Sequence, residues 1–385
     1  MRSEACSPRR SRFILVAALS LLGQVAAAAP AVFLERTRLT PTDGAPDGGF
    51  GRAVAVDGNV AVVSANAMST IFGNSPELPG AAYVFELNAA GVWQQTAKLT
   101  SGPANDGDLF GLDVAVDGNV IVVGAPFHRL AYVFEKQGSA WVRTAALGGV
   151  LQTGNGFSVA VENGVVAVSH NSDNGMALYR RGASGWAQIA AYANGASQGD
   201  DLDFGPRVDI TGNDAIHGSF GSDAQPSAAF IYTAGSGGNW ATPTVTRVTR
   251  SASGPPDGFG STVAIAGNTA LISQLVYQRD ASGGWVRTAQ VLGGNALDDD
   301  ERTIVGVLVP YRFSPFYRRS PSAPWPHSGE LALSDSSEIT SVDISSSRVV
   351  AGAYPGAAYI FEIPENVNTP ELQQEGFQDG DDRGL

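Results

Sequence analysis

All six tryptophans of this chain stand at the same place in a repeating pattern: Trp93, Trp141, Trp186, Trp240, Trp285 and Trp325. Seven or eight residues before each lies a second aromatic, in turn Phe85, Phe134, Tyr179, Tyr232, Tyr277 and Tyr317. The tryptophans are 40 to 54 residues apart. A fixed period of this size marks an array of supersecondary units, none of which can bury its apolar face alone. It suits one four-stranded sheet per unit.

The clearest copies are Asp47-Gly-Gly-Phe-Gly-Arg-Ala-Val-Ala-Val-Asp-Gly-Asn-Val-Ala-Val-Val63 and Asp108-Leu-Phe-Gly-Leu-Asp-Val-Ala-Val-Asp-Gly-Asn-Val-Ile-Val-Val123. Each reads as strand A after Phe-Gly, a tight turn such as Asp57-Gly58-Asn59, and then strand B. Asp-Gly and Gly-Asn steps supply the positive φ that two-residue hairpins need. Strand C carries the aromatic and strand D the tryptophan. Strands A and B are nearly continuous apolar runs, as expected where both faces are covered. The aromatics are expected between neighbouring sheets, where they bury the most area. A seventh unit is split between the ends of the chain. Phe361 closes a Tyr-Ile-Phe-Glu strand with no tryptophan after it, and residues 32–39 parallel residues 92–99 of the first full repeat. The expected fold is all-β: a seven-bladed β-propeller closed by its N-terminal strand, which completes the last blade and removes two open sheet edges.

Phe50-Gly51, Phe110-Gly111, Phe204-Gly205 and Phe259-Gly260, with Gly124-Ala125-Pro126 after one strand B, resemble FG-GAP repeats, as in the propellers of integrin α-subunits and many secreted bacterial proteins. The resemblance spans roughly residues 31–363 and departs at Phe157-Ser158. In that family an Asp-rich loop between strands A and B often binds calcium. Here those loops are too short to wrap a cation that wants six to eight oxygens, so no metal and no cofactor are expected. The sixth repeat is degenerate: Asp298-Asp299-Asp300 stands where a Phe-Gly and strand A should follow, and Glu301 to Val307 aligns with strand B. This register implies a blade short of one strand.

Residues 1–28 read as a signal peptide. Arg2, Arg9, Arg10 and Arg12 precede an apolar run from Phe13 to Leu22 and an alanine-rich cleavage site. The run is too short to span a bilayer. The propeller is assigned to residues 29–363 and an acidic disordered tail to 364–385. The expected location is secreted, extracellular or periplasmic, with no membrane insertion after cleavage. The only cysteine, Cys6, lies in the leader, so no disulfide is expected. The formal charge is −13. The leader carries four arginines and one glutamate, a net +3, so its removal leaves about −16. Such a surface disfavours nucleic acid and anionic membranes.

The sequence holds no nucleophile elbow and no phosphate-binding loop. Its four histidines, His128, His170, His217 and His327, fall in different slots and form no spaced metal motif; solvated positions are expected of those in loops, His128 and His170. What converges is acid. The D-to-A loops should share one face with the long B-to-C loop from Asn66 to Gly80, and they carry Asp43, Asp47, Asp106, Asp108, Asp200, Asp201, Asp203, Asp257 and Asp298 to Asp300. Asp47, Asp106, Asp108, Asp200, Asp201, Asp257 and Asp298 form the candidate binding face; the plainer account is that each aspartate caps a turn. The expected function is a non-enzymatic binding or adhesion scaffold, monomeric, with an extracellular protein or glycan as ligand. The alternatives are a glycan-active hydrolase using face carboxylates and a structural repeat of a surface assembly.

Overall fold

The computed structural model describes residues 31–44, 49–66, 80–102, 109–148, 155–170, 174–194, 207–219, 227–249, 259–307, 313–319 and 325–364. The chain begins with β1 (Ala31–Leu34) and β2 (Thr37–Leu39). Blade one is β3 (Phe50–Asp57), β4 (Val60–Ala65), β5 (Ala81–Leu87) and β6 (Trp93–Leu99); blade two is β7 (Val114–Asp117), β8 (Val120–Ala125), β9 (Leu130–Gln137) and β10 (Ala140–Leu147). Blade three is β11 (Asn155–Glu162), β12 (Val165–His170), β13 (Gly175–Gly182) and β14 (Gly185–Ala193); blade four is β15 (Val208–Thr211), β16 (Asp214–Ser219), β17 (Ala228–Gly235) and β18 (Asn239–Thr249). Blade five is β19 (Val263–Ala266), β20 (Thr269–Ile272), β21 (Leu275–Arg279) and β22 (Trp285–Gln290); blade six is β23 (Gly294–Leu297), β24 (Thr303–Gly306), β25 (Phe313–Arg318) and β26 (His327–Ala332). Blade seven takes β27 (Glu338–Ser345), β28 (Arg348–Tyr354) and β29 (Ala357–Glu362). Each blade is an antiparallel meander, so the fold is a seven-bladed all-β propeller.

The ring closes as the split repeat requires, and by more than one strand. β2 pairs antiparallel with β29, Thr37 opposite Ile360 and Leu39 opposite Ala358, and so supplies the outer strand of blade seven. β1, which the sequence register merges with β2, instead runs parallel to β26, Ala31 opposite Gly329, as a fifth strand of blade six. Phe33 meets Phe316 edge-on at 5.6 Å. The Glu35 carboxylate accepts the Ser334 N–H at 3.0 Å.

The expected missing strand of blade six is present. β23 is a short inner strand lying before Asp298, not after it, and β24 is strand B as aligned. It escaped the register because Gly294-Asn295-Ala296-Leu297 carries neither a Phe-Gly nor an unbroken apolar run.

The core is divided among the blade seams, one apolar cluster at each. Phe50 packs against Tyr83 and Phe85 of its own strand C at 5.6 and 6.2 Å, and Phe110 repeats this with Tyr132 and Phe134. Among the described residues, the glycines of Phe50-Gly51, Phe110-Gly111 and Phe259-Gly260 meet the preceding blade: a Cβ on Gly51 would sit 2.2 Å from the Ala357 carbonyl oxygen. Tryptophans latch the seams from outside. Glu86 of blade one accepts Trp141 Nε1–H at 2.9 Å and pairs with Lys136 at 2.6 Å, both from blade two. Glu135 repeats this with Trp186 and Arg181 of blade three. Between blades four and five, Asp214 pairs with Arg279, whose guanidinium lies 4.7 Å over Trp285.

Candidate functional site

The inner strands of all seven blades surround a central channel of about 1330 Å³. At one end of it lie the A-to-B turns. The D-to-A and B-to-C connections open at the other end, as alternation of strand direction dictates. Alternate residues of each inner strand face the channel and the next blade.

At the turn end, the residue that ends the inner strand of one blade, or in blade six directly follows it, accepts a hydrogen bond from the turn N–H of the next. Asp57 accepts Gly118 N–H at 2.6 Å, and Asp117 accepts Asn163 N–H at 2.6 Å. Glu162 accepts Gly212 N–H, and Thr211 accepts Gly267 N–H at 3.5 Å. Asp298 accepts Ser346 N–H at 2.8 Å, and Ser345 accepts Gly58 N–H at 3.3 Å. The seam between blades five and six differs, because Ala266 has no acceptor. There Glu301 reaches back to accept the Thr269 hydroxyl at 2.7 Å.

Asp298 is therefore not on the loop face where the register placed it. It is buried at the turn end, because strand A precedes it. Burial first, and then the adjacent Asp300 carboxylate, raise its pKa. Asp299 opens onto the channel mouth; burial, then Asp57, Asp117 and Asp300, raise its pKa.

Above this ring, two inner strands put an aspartate where most others have alanine. Asp209 accepts Ile210 N–H at 2.8 Å and Ile265 N–H of blade five at 2.7 Å. Asp343 accepts Val56 N–H of blade one at 2.8 Å. Asp113, one step nearer the loop end, accepts Val159 N–H of blade three at 3.0 Å. Each keeps some surface toward the channel while protein encloses it on every side. Burial pushes Asp209 up to about 8 and Asp343 to about 7, against the hydrogen bonds that favour the charged form. Sequence reasoning passed over all three, though a carboxylate between two apolar strand residues, as in Val208-Asp209-Ile210, is a readable signal.

Of the other expected face residues, Asp47, Asp106, Asp108, Asp200, Asp201 and Asp257 lie outside the described residues. Asp43 is described and serves the scaffold: it pairs with Lys98 at 2.5 Å and accepts the Tyr83 hydroxyl at 3.1 Å. Of the loop histidines, His128 is exposed as expected, but His170 ends β12 and is buried rather than solvated; His217 lies in strand B of its blade, β16, as the register placed it, and is buried. Burial, and then His170, hold His217 down at about 3. Among the described residues no three His, Cys, Asp or Glu side chains converge to hold a metal ion, and no helix is long and apolar enough to cross a membrane.

The FG-GAP repeat family model matches residues 33–85 and 93–142. No curated protein sequence matches the chain. Solved structures share the fold at low identity. A chain of the mitotic checkpoint complex is 12% identical with a TM-score of 0.58, over 94% of this chain and 98% of that one. A protein from Lactobacillus plantarum is 13% identical at TM-score 0.51, over 74% and 85%. The C-terminal WD40 domain of Sif2 is 12% identical at 0.51, over 87% and 99%.

Proposed function

The chain is a seven-bladed β-propeller carrying FG-GAP repeats, and from that premise we propose that it is a secreted, non-enzymatic, monomeric scaffold that binds an extracellular protein or glycan. The observation that carries this reading is the asymmetry of the two ends. At the turn end, short turns join strands A and B within each blade, and carboxylates beside them are occupied in holding the next blade. At the other end the chain runs from Ala65 to Ala81, from Ala193 to Val208 and from Thr249 to Val263 between consecutive strands. Connections of varied length on a rigid frame are where binding residues concentrate. Asp47, Asp106, Asp108, Asp200, Asp201 and Asp257 belong to such connections.

One observation favours the hydrolase reading: a carboxyl raised toward neutrality in a cavity suits a general acid, and Asp209 and Asp343 are of that kind. Against it, Asp209 is engaged by two backbone N–H donors and Asp343 by one of the next blade. The experiment that separates the readings is a glycan and protein array probed with the chain from Ala29 onward. Retention without turnover is expected. Release of product would establish a hydrolase, and retention only by further copies of the chain would establish an assembly repeat.

A further inference from the structure

In six blades two residues link strand A to strand B; in blade six five do, residues 298–302. The turn opens on Asp298, which is 1% exposed. Its Oδ1 accepts the Ser346 N–H of blade seven at 2.8 Å, while its Oδ2 is buried with no hydrogen-bond partner among the described residues. An ionised carboxylate spreads its charge over both oxygens, and burying one without a donor costs more than burying an unpaired neutral group. The geometry therefore calls for a proton on this carboxyl. A protonated carboxyl is itself a donor and needs an acceptor. Asp300, two residues on, is within hydrogen-bonding reach, and it is fixed there by accepting the Arg302 N–H at 2.8 Å. Two carboxyls in such reach of each other do not readily both ionise.

Among the described residues the surroundings offer Asp298 no counter-charge. The titratable groups acting on it are Asp300 and Asp299 of its own turn. Glu301 is directed to the Thr269 hydroxyl of blade five, and Arg302 and Arg319 are exposed. Blade seven presents the neutral Ser345 and Ser346. Its Asp343 and Arg348 are both turned to blade one, to the Val56 N–H and the Gly58 carbonyl. Burial, and then Asp300, accordingly hold the Asp298 carboxyl well above the usual carboxylate range. The same turn carries Asp299 to the channel mouth, where its charge acts on Glu162, Asp209 and Asp343 of blades three, four and seven.

We propose that a proton shared by Asp298 and Asp300 is a latch, which holds the blade-six turn on Ser346 across the seam that closes the ring and keeps Asp299 at the channel mouth. When that proton passes to solvent, two carboxylates face each other and the turn parts from blade seven. The fold holds this proton more tightly than the unfolded chain does, so the latch is complete at low pH and fails as pH rises.

The test is amide hydrogen exchange of the chain from Ala29 onward, read at Ser346 between about pH 5 and pH 9. Gly118, whose N–H is held by Asp57 across the seam of blades one and two, is the internal reference. Relative to Gly118, Ser346 should lose about tenfold in protection over this range, the order expected when a buried carboxylate is left without a donor. Asp298→Asn keeps an oxygen for Ser346 and supplies N–H donors of its own, so it should hold Ser346 protected throughout. Asp300→Asn donates to an ionised Asp298 and should abolish the loss too, which keeps the test decisive if Asp298→Asn fails to fold. Asp299→Asn should retain the loss. Protection at Ser346 that falls no faster than at Gly118 in the wild type would overturn the latch. So would a fall in Asp300→Asn equal to that of the wild type. A loss abolished by Asp299→Asn as fully as by Asp300→Asn would overturn the pairing.

Discussion

At Gly51 a single hydrogen in place of a side chain decides whether two blades can meet. The residue has φ 91, and any Cβ would lie 2.2 Å from the Ala357 carbonyl oxygen of blade seven. Gly51→Ala combines left-handed strain with a backbone collision. We expect a loss of about 2–4 kcal/mol in urea unfolding, at the upper end of what single substitutions do. The partner in the motif acts within its own blade: Phe110 is fully buried against Tyr132 and Phe134, so Phe110→Ala should cost about 3–5 kcal/mol. Asp209 makes stability depend on pH. Its carboxyl titrates near 8 in the fold against an ordinary 3.8, so the folded chain binds the proton more tightly. That contribution is full below about pH 3.8 and is lost as pH rises through 8. Melting temperatures of wild type and Asp209→Asn, compared from pH 5 to 9, should show a decline in the wild type that the variant lacks in part. A parallel decline in both would remove Asp209 as its source.

Strands show how much the sequence discloses and where it stops. Blade number, strand order and the tryptophan seams were legible because one physical demand, an aromatic at each seam, recurs at each repeat. The inner strand of blade six was not, because Gly294-Asn295-Ala296-Leu297, with two small residues and a half-buried asparagine, carries no periodic signal. The split of residues 31–39 into two strands was also hidden: Leu34 and Leu39 lie in one apolar pattern, and only the position of blade six shows that β1 pairs there. Six of the seven candidate face residues fall beyond what the structure describes, and the seventh, Asp298, moved to the opposite end with the strand before it. Deleting residues 31–39 should unfold the protein or drive it into oligomers, read by light scattering and melting temperature. Deleting 31–34 alone keeps β2 on β29 and should lower the melting temperature less. A monomer with unchanged melting after the longer deletion would contradict the pairing of β2 with β29.

For the molecule as a whole, the A-to-B turns weigh on the question of calcium. Their carboxylates already accept backbone N–H groups from the next blade; six of the seven turns have only two residues, and the acidic residues 298–302 of the seventh do not converge on a metal site. Millimolar calcium should leave the melting temperature nearly unchanged. Saturation at about 100 times a dissociation constant would add roughly 2.7 kcal/mol, and a rise of that size, reversed by chelator, would place a site in the loop-face connections.

The straddling of blades six and seven by β1 and β2 also sets an order of events in time. Glu35 and Ser334, which meet at this closure, are 299 positions apart in the chain. The earliest part of the propeller to leave the ribosome therefore waits for the last before it has anywhere to go. Contacts of such separation slow folding, because loop-closure entropy must be overcome before they form. A circular permutant that carries residues 31–39 after residue 364 makes the waiting strands neighbours of blade seven. It should reach the same fold and refold faster than the natural order when monitored by tryptophan fluorescence.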